Sequence, residues 1–116
     1  MKIDKAKNVA AGPPKEKDAK GVKMRVLMSD KEGAPTFVMR VFEIEPGGYT
    51  PYHTHPWEHE VYVLEGKGYV RQKGKDYLVE RDSFALVAPD EEHQFLNAGD
   101  GPFKFICVIP IVKPRE

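Results

Sequence analysis

Apolar and polar positions alternate from Val22 onward, with Val22, Met24, Val26 and Met28 set between Lys23, Arg25 and Ser29. A period of two marks a strand with one buried face, which predicts the first strand over residues 22–28. Similar short runs follow at 37–45, 61–65, 69–73, 77–80, 83–88, 93–97 and 103–112. Turn chemistry separates them: Pro46-Gly47-Gly48, Gly66-Lys67-Gly68, Gly74-Lys75, Pro89-Asp90 and Ala98-Gly99-Asp100-Gly101. Gly74 at the first central position predicts a two-residue type II′ hairpin. No stretch has the 3.6-residue period of a helix of useful length. Many short strands divided by Gly and Pro predict an all-β domain, a sandwich or a barrel, and full closure would remove exposed strand edges.

Residues 1–21 differ in character. They are rich in Lys, carry Pro13-Pro14 and the run Lys15-Glu16-Lys17-Asp18, and have no apolar period. They read as an irregular arm without chemistry, ahead of a single domain over 22–116. A chain of 116 residues suits one core and no more. Eighteen basic residues balance eighteen acidic ones, so there is no positive field to draw nucleic acid or an anionic membrane. The apolar runs fall far short of the roughly 20 residues that span a bilayer, and no apolar signal core opens the chain. A cytoplasmic protein is expected. Cys107 is the sole cysteine, so an intrachain disulfide is impossible and any metal must be held by nitrogen and oxygen.

All four histidines fall in one pattern, His53-x-His55-x3-His59 followed by His93. Side chains two apart on a strand share a face, about 6.5–7 Å apart, so His53 and His55 are expected to converge while Thr54 points away. Pro56-Trp57 would reverse the chain and return His59 on the neighbouring strand beside His55. His93 opens another strand that a closed barrel would bring to the same point. A lone histidine is more often a surface or satisfied core residue than a ligand. Three within seven residues beside a turn point to an ion. The spacing is not that of the helical H-E-x-x-H zinc proteases.

The stretch Gly47-x5-His53-x-His55-x3-His59-x6-Gly66 resembles the first motif of the cupin superfamily, and Pro89-x3-His93-x3-Asn97 resembles the second. The run His55-Pro56-Trp57-Glu58-His59-Glu60 is similar to small single-domain cupins that bind manganese through four histidines. The resemblance implies a double-stranded β-helix, a jelly-roll barrel with the metal inside, and a homodimer. Strand 22–28 offers a route to the dimer by extending a partner's sheet. The usual motif places glutamate where His59 stands, with Glu60 one residue later. His59 keeps the three-residue gap from His55 and the six-residue gap to Gly66, and it shares parity with Val61 and Val63. His59 is therefore favoured as the third ligand, with Glu60 the alternative; were Glu60 the ligand, His59 would point outwards.

Four neutral imidazoles would leave the ion's double charge uncompensated and, in an octahedral ion, two positions open. Manganese rests on the resemblance; by affinity Fe, Ni, Cu or Zn are also acceptable. Around the site, Phe103, Phe105, Cys107 and Ile109 share one face, which makes Phe105 a pocket wall and places Cys107 inside as either a plain buried thiol or an oxidisable one near the metal. Arg40 has the parity of Val38, Phe42 and Ile44, so its guanidinium either meets an anionic substrate or a carboxylate, or sits at an edge with solvent access. Trp57 caps the pocket or packs between subunits. Glu58 orients a ligand histidine or is an exposed turn carboxylate. No Ser-His-Asp set or phosphate-cradling loop is visible. The expected activity is that of a metal-dependent oxidoreductase, dioxygenase-like, using oxygen or peroxide on a small organic substrate. The alternatives are a metal-containing binding protein without turnover, and a sugar or ketoacid isomerase or lyase.

Overall fold

Eight antiparallel strands wrap into a nearly closed barrel in a computed structural model that describes residues 1–14 and 16–112. They are β1 (Lys20–Met28), β2 (Phe37–Tyr49), β3 (His59–Glu65), β4 (Lys67–Gln72), β5 (Lys75–Glu80), β6 (Phe84–Val87), β7 (Gln94–Asn97) and β8 (Phe103–Pro110). The strand order is β5-β4-β7-β2-β8-β3-β6, with β1 added on β2. This is the all-β jelly-roll arrangement that the turn spacing and the motifs had indicated. Only two single-turn 3-10 helices, Ala6–Asn8 and Asp30–Glu32, interrupt it among the described residues.

β2 organises the barrel. It pairs with β8 from Phe37↔Pro110 to Ile44↔Phe103, with β1 on its other side, and reaches β7 at Tyr49↔Leu96. The expected stop at Pro46-Gly47-Gly48 does not occur. The β1 register jumps from Val22↔Ile44 to Lys20↔Tyr49, so these residues form a bulge, with Gly47 at φ 79°, and the strand continues past it. The hairpin between β4 and β5 also differs from expectation. Gln72 pairs with Lys75, which makes Lys73-Gly74 the central pair, and both have positive φ (50° and 75°). That is a type I′ turn, whose twist matches the flanking strands, and glycine takes its second central position.

The core follows the alternation. Ile44, Val61, Val63, Phe95, Phe103, Phe105 and Cys107 are buried, and in β8 the odd positions from Phe103 to Cys107 face in. Phe105 is the centre of an aromatic group: its ring lies 5.1 Å from Phe42, 4.7 Å from Phe95 and 5.2 Å from Phe103. Lys104 points out and pairs with Glu65 at 3.4 Å.

The N-terminal arm is irregular apart from its 3-10 turn, yet it is docked. Gly12 and Met24 exchange two backbone hydrogen bonds (3.0 and 2.7 Å), and Arg25 Nε donates to the Val9 carbonyl at 3.1 Å. The arm thus occupies the outer edge of β1 at Met24, the edge expected to serve a second copy. None of the described helices is long and apolar enough to cross a membrane.

Candidate metal centre

The loop between β2 and β3 carries His53 and His55, and it is not the strand that the H-x-H spacing predicts. Pro51 and Pro56 flank the pair, and neither has an N–H to give a ladder. The loop is held instead at separate points. Thr50 N donates to Phe95 O at 2.8 Å, His53 and His93 exchange backbone bonds (3.2 and 3.0 Å), and Asp90 N donates to His55 O at 2.7 Å. His53 and His93, forty residues apart, are therefore fixed to one another by main chain.

His59 is the first residue of β3, opposite Val87 of β6. Burial alternates from His59 to Leu64: His59, Val61 and Val63 face in, while Glu60, Tyr62 and Leu64 face out. His59 is only 5% exposed. The parity that favoured His59 over Glu60 is the parity the strand has. His93 follows a loop tied by Glu91, whose carboxylate accepts from Ala88 N and from Gln72 Nε2, both at 2.7 Å. Those two bonds hold the Glu91 carboxyl below the usual range.

Four imidazole rings meet here. Centroid separations are 4.3 Å for His53–His55, 4.8 Å for His53–His93, 5.2 Å for His55–His59 and 4.7 Å for His59–His93. Two rings have one nitrogen already engaged: His93 Nδ1 lies 3.0 Å from Glu91 O, and His59 Nδ1 lies 3.3 Å from Cys107 Sγ. Such contacts fix which ring nitrogen is left to act as a donor to an ion. The other nitrogen of His59, Nε2, is buried without a hydrogen-bond partner. An unpartnered ring nitrogen inside a cluster of imidazoles is costly unless something binds it, and in the tautomer whose Nδ1–H faces Cys107 Sγ the Nε2 lone pair fits a divalent ion.

The electrostatics agree. Burial lowers all four imidazoles from 6.5, His53 to about 4 and His59 to about 3, and the neighbouring rings add to the effect for both. They are neutral donors at neutral pH. Unfolded histidines take up protons near pH 6.5 while the folded ones resist, so folding stability is complete above that value and declines as pH falls through the folded values. The melting temperature of metal-free protein is therefore expected to drop steadily between pH 6.5 and about 4. Thermal melts across that window check this, and a melting temperature that rises on acidification contradicts it.

A small pocket of about 40 Å³ opens on the cluster, lined by the four histidines with Arg40, Phe42, Phe95, Phe105 and Cys107 among others. Arg40, Phe105 and Cys107 thus sit where their strand parity placed them. Cys107 is buried, and burial pushes its thiol up against the opposing pull of the Arg40 guanidinium. Trp57 is not part of the lining. It stacks on His55 at 4.5 Å and 14°, with its indole Nε1 buried and unpartnered. Glu58 is exposed and takes none of the histidine contacts described above.

The pocket also takes residues that the sequence did not point to, Glu16 foremost. Glu16 of the arm, with Pro14, lines the mouth, and Glu16, His53 and His55 present ligand atoms that all lie within 4.8 Å of one another. Among the described residues this is the one set of three or more that meets that test, so capture of one ion by all four imidazoles requires the rings to draw closer together. The arm read as chemically silent because a charged, Pro-containing run has no periodicity to reveal what it passes over.

The family described as "Cupin domain" matches residues 40–109. The structure of the polyketide cyclase RemF from Streptomyces resistomycificus superposes with a TM-score of 0.92 at 33% identity, over 99% of this chain and 82% of that one. The tetracenomycin polyketide synthase protein TcmJ of Streptomyces glaucescens is 29% identical over 91 residues, 78% of this chain and 61% of its own length. An oxalate-binding protein of Thermotoga maritima is 29% identical over 68 residues, 58% of this chain and 56% of its own. The chain thus spans about three fifths of the length of the curated relatives it matches.

Proposed function

The chain belongs to the cupin domain family, and on that footing we propose that it is a metal-dependent enzyme acting on a small organic molecule, with His53, His55, His59 and His93 holding a divalent ion. The observation that carries this reading is the buried, unpartnered Nε2 of His59 among three other neutral imidazoles. Manganese is the proposed ion, on the resemblance of the His55–Glu60 run to four-histidine manganese cupins. When bound, it would supply a double positive charge and open positions for oxygen, peroxide or a chelating substrate.

The protein's own groups set the conditions for that chemistry. His59 is oriented through Nδ1 by Cys107, and His93 by the Glu91 carbonyl, so their free nitrogens are directed rather than mobile. Phe42, Phe95 and Phe105 form an apolar wall that excludes water from the inner side of the pocket.

The reaction class proposed is oxidation by oxygen or peroxide. The likeness to RemF favours a second reading, in which the ion polarises a carbonyl for ring closure without redox change. Reconstitution with Mn(II), Fe(II) or Zn(II) separates them, using oxygen uptake and product analysis on small phenols and ketoacids. Product formed with Mn or Fe and absent with Zn supports oxidation. Equal turnover with Zn supports carbonyl chemistry, and tight binding without product under every condition would leave a binding protein.

A further inference from the structure

Arg40 brings a positive charge into the pocket with no counter-ion among the described residues. Its Nη2 donates to Cys107 Sγ at 3.1 Å, its Nη1 approaches Met24 Sδ at 3.9 Å, and its guanidinium carbon stands 4.9 Å above the Phe42 ring. Its Nε is buried with no partner. Ion pairs within 4.0 Å are made by Arg25, Arg71 and Lys104, and among the described residues no carboxylate comes that close to Arg40. Glu16, which lines the same pocket, makes no such pair with it.

Sulfur is a weak acceptor, and a guanidinium has five N–H donors. A half-buried cation served by two sulfurs and a phenyl ring is under-satisfied, which costs stability unless an anion arrives. β-Sheet register makes the position rigid: Arg40 lies opposite Cys107 across β2 and β8, and opposite Val26 across β1. The same sulfur links it to the histidine cluster, since Cys107 Sγ is 3.1 Å from Arg40 Nη2 and 3.3 Å from His59 Nδ1.

We propose that Arg40 anchors a carboxylate of the substrate, so that the pocket selects small monoanionic organic acids with an apolar body. The carboxylate replaces the weak sulfur contacts with charge-assisted hydrogen bonds, and the body of the acid lies against Phe42 and Phe105. The rest of the molecule then faces the imidazoles. Only this last point rests on the metal-dependent reading; the anion site itself is made by Arg40.

The test uses benzoate and its uncharged analogue benzamide, titrated by calorimetry into the full chain, metal-free and Mn(II)-loaded. Wild type is expected to bind benzoate about tenfold or more tightly than benzamide even without metal. Arg40→Gln should remove that preference while leaving benzamide affinity and Mn(II) content unchanged, and Arg40→Lys should keep part of it, because charge remains but the planar fork is lost. A purely structural role for Arg40 would instead weaken both probes alike. Wild type that fails to bind benzoate, or a preference that persists in Arg40→Gln, overturns the inference. If Arg40→Gln does not fold, an undiminished preference in Arg40→Lys together with equal weakening of both probes in Arg40→Ala has the same force. Absence of Mn(II) binding by wild type would sink the proposed metal centre, and the metal-free titrations would still decide the role of Arg40.

Discussion

Protein in which His59 is replaced by alanine is expected to hold metal at least tenfold more weakly than wild type after growth in metal-replete cells, whereas Glu60→Ala should leave metal content unchanged. The contrast follows from adjacent positions on one strand. His59 is buried with a free Nε2 and a Cys107 contact on Nδ1, while Glu60 faces out. Losing even a supporting partner of a metal ligand typically costs about 10–100-fold in affinity, and loss of the ligand itself should cost no less. The fold of the metal-free protein should tolerate the change. A buried imidazole held neutral at a depressed value, with one nitrogen unsatisfied, contributes little stability that alanine would forfeit. Elemental analysis paired with thermal melts of metal-free samples reads both effects. Wild-type metal content in His59→Ala, with loss in Glu60→Ala, would transfer the third ligand to the carboxylate and refute the site as drawn.

The largest expected effect on stability comes from Phe103. Its side chain is 0% exposed, 5.2 Å from the Phe105 ring, and packed so tightly on β4 that a Cβ placed on Gly68 would lie 2.2 Å from it. Phe103→Ala should cost about 3–5 kcal/mol, a large share of the roughly 5–15 kcal/mol that holds a domain together. That corresponds to a fall in melting temperature of on the order of 10–20 °C. Leu78, 58% exposed on β5, is the control: Leu78→Ala should change stability by no more than about 0.5 kcal/mol. The contact with Gly68 also predicts coupling. Gly68→Ala alone forces the ring to shift, but in the Phe103→Ala background its methyl enters vacated space, so the double variant should be more stable than the sum of the two losses. Strict additivity would show that the two residues do not press on one another.

What the sequence made legible was what strand parity can encode. The inward placement of His59, Phe105, Cys107 and Arg40 follows from counting by two along β2, β3 and β8, because a one-residue slip would put charged residues in the core. Features outside the ladders escaped that logic. His53 and His55 were expected on a strand because they alternate, but Pro51 and Pro56 deny them a partner strand, and long-range bonds to Phe95, His93 and Asp90 position them instead. Trp57 sits behind His55 rather than in the pocket wall for the same reason. Pro46-Gly47-Gly48 looked like a stop because glycine and proline usually punctuate, yet a bulge absorbs them and β2 runs on. Glu16 was invisible because its place depends on how the arm is laid against β1, through Gly12 and Met24, and no local pattern records that.

The backbone exchange between His53 and His93 ties the four-histidine site to the folded chain. The two residues are distant in sequence, and their bridge forms only when the β2–β3 loop reaches the start of β7. A contact of that separation exists only once the chain has closed a long loop, as the still longer-range β2–β8 ladder also requires. On the proposed reading, the nascent chain has no four-histidine site with which to compete for metal, and the ion enters a finished barrel. Loading would then be governed by which ions are free in the compartment after folding, and the same polypeptide would leave different hosts carrying different metals.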